Sequence, residues 1–140
     1  MTRPPAPGDR TEVTAVGPFD AAAVVAYARA SGDDNPLHVD PTIAAAAGFP
    51  APPVHGMRLM AAIEPALAAW RPDLRIKRLA GAFVEPLLVG EQARLSGRVL
   101  KTTGADATEV LIRITIQGPR RGPCLVAEAV VVPREAEATA

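Results

Sequence analysis

The sequence predicts an α+β domain in which an antiparallel sheet packs its apolar face on one long helix. Two kinds of run carry that expectation. In residues 109–117, Val110, Ile112, Ile114 and Ile116 alternate with Leu111, Arg113, Thr115 and Gln117, the period of two of a strand with one solvated face. Ala93, Leu95, Gly97 and Val99 alternate with Arg94, Ser96 and Arg98 in the same way. Ahead of them, Met60, Ile63, Leu67 and Trp70 recur at helical spacing.

In chain order, residues 11–16 form a short strand candidate. Asp20 can then cap a helix running to about Ser31, with Val24, Tyr27 and Ala28 on one face and Gly32 as its stop. Pro36 fixes its own φ and pushes Asn35 toward extended geometry, so residues 33–36 form a rigid loop. An alanine-rich turn at residues 42–47 leads to Gly48 and to Pro50, Pro52 and Pro53, which break regular structure. The long helix is expected over residues 56–70, kinked or broken by Pro65, and its alanines keep it slim enough for a sheet to wrap closely. Further strands are expected at residues 76–85 and 123–132, separated by turn material at Pro86, Gly90, Gly104 and Gly118.

Composition sets the outer bounds. A 140-residue chain, 49% hydrophobic and 21% charged, suits a single domain over residues 1–140, with proline-rich residues 1–10 and polar residues 134–140 expected to be loose. Its 15 basic and 15 acidic residues cancel, and aromatics make up only 4%, so no nucleic-acid partner is expected. No apolar run approaches the ~20 residues of a membrane span, and residues 1–10 lack the features of a secretory signal. No membrane association is expected, and the cytoplasm is the expected location. Cys124, the one cysteine, leaves no intramolecular disulfide and no zinc spacing; it is expected to be a buried strand residue, and no metal site is expected.

The chemistry concentrates where the two histidines lie, each beside a turn or helix boundary. Asp33 precedes His38 by five residues, and the Asn35-Pro36 bend between them can bring a carboxylate and an imidazole toward one point. Such a pair can divide proton transfer, each group contributing ~10²–10⁴ in rate. Asn35 either holds a water or fixes the loop. Ser31, Gly32, Asp33, Asp34, Asn35 and Pro36 are also ordinary turn formers, so the residues alone leave a plain turn as the alternative. His55 reads as a helix-entry residue bonded to local backbone.

The string from Tyr27 to Pro41, with Asp33, Asn35, Pro36, His38 and Asp40 in place, resembles the hydratase motif of the MaoC-like (R)-specific enoyl-CoA hydratases and dehydratases. Pro53, Val54, His55, Gly56 and Met57 resemble that family's turn into its central helix, and Phe83, Pro86, Gly90 and Glu91 its entry to the later strands. The matches cover roughly residues 19–132. The resemblance implies a hotdog fold and a homodimer joined edge to edge. It implies that Asp33 and His38 hold one water and add it across a trans-2-enoyl thioester, giving an (R)-3-hydroxyacyl product, or reverse that step. It places the Gly56 N–H on the thioester oxygen, where a donor at the positive end of a helix stabilises the growing enolate, such donors being worth ~10²–10³ in rate.

On this reading the substrate is a coenzyme A or acyl-carrier-protein thioester, and no cofactor is needed beyond the coenzyme A or phosphopantetheine the substrate carries. Arg58, Arg75, Lys77 and Arg78 are candidates for its phosphates, or else a solvated face. Met57, Met60 and Glu64 are candidates for the acyl pocket. Glu64 followed by Pro65 departs from the family pattern; a carboxylate facing the acyl tunnel implies a short, polar or carrier-bound substrate. Two rival functions are a hotdog acyl thioesterase, against which the complete Asp-Asn-Pro-His string argues, and a non-catalytic acyl-binding subunit of a dehydratase complex, which has no chemical need for Asp33 and His38.

Overall fold

The computed structural model describes residues 3–135. Its strands are β1 (Thr14–Val16), β2 (Leu74–Phe83), β3 (Ala93–Thr103), β4 (Glu109–Gln117) and β5 (Leu125–Pro133). They form one sheet in the order β1-β3-β4-β5-β2, every neighbouring pair antiparallel. Between β1 and β2 in sequence lie α1 (Ala21–Ser31), α2 (Pro41–Ala46), α3 (Gly56–Met60) and α4 (Ile63–Trp70).

The alternation read from sequence is the alternation of burial. In β4, Val110, Ile112, Ile114 and Ile116 are buried while Arg113 and Gln117 face solvent. Leu95 and Val99 of β3 and Leu125, Ala127, Ala129 and Val131 of β5 join the same core, against Leu59, Ile63 and Leu67 of the helices. Each fully buried isoleucine or leucine contributes roughly 1.5–3 kcal/mol. The sheet wraps α3 and α4, which is the α+β hotdog arrangement the resemblance implied. No helix among the described residues is long and apolar enough to cross a membrane.

α1 begins and ends where its sequence dictates. Asp20 accepts a hydrogen bond from the Ala23 N–H at 2.7 Å, and Gly32 closes the helix at φ +77°. The helix expected over residues 56–70, kinked or broken by Pro65, is broken into two at Ala61 and Ala62, four and three residues ahead of the proline. A proline lacks the N–H for, and its ring collides with, the carbonyl four residues earlier, here that of Ala61. Pro65 itself sits in the first turn of α4, where no intrahelical donor is required.

The looseness expected of residues 1–10 does not extend through that segment. Gly8 donates to the Val99 carbonyl, Val99 to that of Asp9 and Thr11 to that of Gly97, laying residues 8–11 along β3. Gly97 makes this approach possible, since a Cβ there would lie 2.9 Å from the Thr11 methyl. At the other end Arg134 donates its N–H to Asp73. Met1, Thr2 and residues 136–140, on which part of that expectation rests, lie outside the described residues.

Candidate active site

The loop between α1 and α2 is shaped by its own short side chains. Ser31 Oγ accepts from the Asp33 N–H at 3.1 Å, and Asn35 Oδ1 accepts from the Leu37 N–H at 3.0 Å. Asn35 thereby caps a single 3-10 turn, Pro36–His38, with Pro36 at its start. Asp40 caps α2 in the same way, accepting from Thr42 at 2.9 Å. The Asn35 side-chain carbonyl oxygen is thus bonded within the loop itself.

A second segment clamps this loop from outside. Residues 52–54 run beside residues 87–89: the Val54 N–H donates to Leu87 at 2.7 Å and the Val89 N–H to Pro52 at 2.9 Å. The Pro53 carbonyl lies 2.7 Å from His38 Nδ1. A carbonyl only accepts, so Nδ1 carries the proton and Nε2 is left free to exchange one. Nε2 faces Asp33 Oδ2 at 4.0 Å. The His38 side chain is only 16% exposed, whereas that of Asp33 is 53% exposed, so solvent enters from the carboxylate side.

His55, two residues beyond Pro53, is buried. Its Nε2 lies 3.1 Å from the Asp33 carbonyl, its ring stacks on His38 with centroids 3.9 Å apart, and the Tyr27 ring packs against it at 4.8 Å. The local-backbone role read from sequence is therefore not the one observed, because the accepting carbonyl is 22 residues away. Asp33, His38 and His55 each offer a ligand atom within 4.8 Å of the others. The two rings are nearly parallel, 26° apart, and each has one nitrogen on a backbone carbonyl.

Gly56 follows directly as the first residue of α3, so its N–H has no intrahelical acceptor. The Phe83 ring covers it so closely that a Cβ would lie 3.0 Å from the ring. Beside it opens a recess of about 280 Å³ lined by Leu59, Phe83, Val84, Leu87 and Cys124 among others. Cys124 is buried as expected, but in the bend just ahead of β5 instead of within a strand, and burial pushes its thiol pKa up.

The other candidate residues lie elsewhere. Met57 is exposed and Met60 half-buried against the core. Glu64 is exposed and edges a separate, much smaller recess of about 10 Å³ with Trp70, Arg71 and Arg75. Arg58 rests its guanidinium 4.8 Å from the Phe19 ring. Arg75, Lys77 and Arg78 lie on β2, where Lys77 pairs with Glu109. Phe83 was visible from sequence only as part of a motif. The contact of His55 with the loop had no local signal.

Comparison with known proteins fits this geometry. A family model described as MaoC like domain matches residues 3–116. The fatty acid synthase subunit beta of Gibberella zeae is 40% identical over 60 residues, 43% of this chain and 3% of that protein. The (R)-specific enoyl-CoA hydratase of Aeromonas caviae is 40% identical over 76 residues, 53% of this chain and 57% of the relative. The matched stretches thus span from a small fraction to just over half of these relatives. The solved (R)-hydratase from A. caviae involved in PHA biosynthesis superposes with a TM-score of 0.84 at 26% identity, covering 95% of this chain and 100% of that one. With a family match across most of its length, on a fold and loop of this form, the chain belongs to the MaoC-like domain family.

Proposed function

We propose that the chain is a hydro-lyase that adds water to a trans-2-enoyl thioester, or removes it from the (R)-3-hydroxyacyl thioester. The observation that carries this reading is the 4.0 Å between His38 Nε2 and Asp33 Oδ2. That gap is too wide for a direct hydrogen bond, yet two hydrogen bonds of about 2.8 Å meeting at near a right angle span it, so one water can bridge the pair.

In the hydration direction the bridging water gives a proton to the Asp33 carboxylate while its oxygen bonds to the β-carbon. The π electrons move toward the thioester, and the oxygen's growing charge falls to the Gly56 N–H. The α-carbon then takes a proton from His38 Nε2, His38 entering this direction as the imidazolium with its Nδ1–H still on the Pro53 carbonyl. The next water to bridge the pair relays the Asp33 proton to His38, which restores the starting carboxylate and imidazolium, and dehydration runs the same steps in reverse. Carboxylate and imidazole act from one side of the double bond, which gives syn addition. The recess beside Gly56, lined by apolar residues and by Glu85, takes the acyl group, and Glu64 lies outside it. The substrate is a coenzyme A or carrier-protein thioester, and the chemistry asks for no cofactor beyond that carrier. A homodimer formed along the β2 edge completes the proposal.

Incubation with crotonyl-CoA tests it: the enoyl absorbance should fall without release of thiol. Thiol release without hydration overturns the reading in favour of a thioesterase. Full activity of either Asp33→Asn or His38→Ala overturns the mechanism.

A further inference from the structure

We infer that His55 is a positioning residue that ties the two reacting side chains together as a neutral Nε2–H imidazole, an inference that rests on the hydro-lyase reading. Its Nε2 lies 3.1 Å from the Asp33 carbonyl oxygen, which only accepts, so the ring proton is on Nε2. Its Nδ1 is buried and has no hydrogen-bond partner among the described residues. A second proton there would be a buried donor without an acceptor. It would also set a cation against the His38 ring at 3.9 Å. Tyr27, His38 and the Asp33 carboxylate are the titratable groups that face the His55 ring, and of these only the carboxylate would favour its charge.

A residue selected for packing alone would not look like this. Leaving Nδ1 buried and unpaired costs roughly 1–3 kcal/mol, a cost an apolar ring of similar size avoids. What histidine adds is the donor to Asp33. The other hydrogen bonds to residues 33–35 come from within residues 31–38, and the one to the Asp33 carboxylate, from the Asn35 N–H, is long at 3.4 Å. His55 supplies the tie between Asp33 and the rest of the fold, while its face holds His38 flat against the segment that bonds Nδ1. A displacement of about 1 Å at such a pair can cost ~10²-fold in rate.

The experiment compares His55→Phe, His55→Gln and His55→Asn in the full chain. Phe keeps the ring without the donor, Gln places an amide N–H near the Nε2 position, and Asn reaches only the Nδ1 position. With crotonyl-CoA, Phe and Asn should lower kcat ~10–100-fold with KM within about twofold of wild type, and Gln should exceed both by about fivefold or more. Imidazole ¹⁵N NMR of the wild type should show the His55 ring proton on Nε2. A folded Phe variant with wild-type kcat, a Gln variant no better than Asn, a change confined to KM, or His55 protonated on Nδ1 overturns the positioning role. If Phe fails to fold, the Gln to Asn ratio decides. A wild type inert toward enoyl thioesters overturns the hydro-lyase reading instead, and the NMR result alone then decides whether His55 is the clamp.

Discussion

Asp33 and His38 sit outside the apolar core, on a loop whose shape comes from Ser31, Asn35 and Pro36. Replacing either side chain should therefore spare the fold. Asp33→Asn and His38→Ala are each expected to lower turnover at least ~100-fold with the fold intact, which crotonyl-CoA assays and cooperative thermal unfolding check together. Gly56 is different, because its constraint is space. A methyl added there meets the Phe83 ring at 3.0 Å, so Gly56→Ala should lower activity tenfold or more, and Phe83→Leu in the same chain should recover part of it. Equal activity of the single and double variants would contradict that account. Spacing and the Asn-Pro bend left Asp33 and His38 as either a plain turn or an acid/base pair, and it was the resemblance of the string that favoured the pair. The role of His55 was not legible, since its partner lies 22 residues upstream and nothing at residue 55 announces the contact.

At the scale of elements, the capped ends of α1 were legible in Asp20 and Gly32, both of which act within their own turn. The break between α3 and α4 was legible in Pro65, and it falls ahead of the proline because a proline acts on the carbonyl four residues before it. The pairing of residues 52–54 with 87–89 left no mark in sequence, although it presents Pro53 and His55 to the loop. Glu91 holds this pairing in place. Its carboxylate accepts the Leu88 N–H at 3.0 Å and two bonds from Arg120, at 2.7 and 3.0 Å, while Arg120 also donates to Pro86. The Arg120 guanidinium, with the Leu88 N–H, draws the Glu91 pKa below its ordinary value. A lowered folded-state pKa gives stability that is complete above the ordinary glutamate value of about 4.3 and lost as pH falls through the folded value. Glu91→Gln should therefore cost about 1 kcal/mol in urea unfolding at pH 7, and the gap to wild type should close below about pH 4. A gap that persists undiminished at pH 3 would place the effect outside the ion pair.

Strand order is a property of the whole molecule, and no local pattern in residues 74–83 announces that β2 lies at an edge beside β5. The two edges are guarded unequally. β1 is only three residues long, and residues 8–11 continue its cover of β3. β2 has ten residues, with Arg75, Lys77 and Arg78 in its first half. Its second half and the residue after it, Ala80, Gly81, Ala82, Phe83 and Val84, carry no charge, and Phe83 and Val84 are 49% and 58% exposed. Charge, proline or a bulge normally blunts a long open edge, and an uncharged one invites another strand. The bulge of β2 lies near Ile76, in the half that is already charged. A second copy meeting the uncharged half antiparallel would satisfy its backbone and cover Phe83 beside Gly56. Sedimentation at micromolar concentration should accordingly give twice the 14.5 kDa chain mass, and a chain carrying Phe83→Asp with Val84→Lys should sediment as a monomer. A wild-type monomer at that concentration, or a dimer unmoved by the double substitution, would rule out association through this edge.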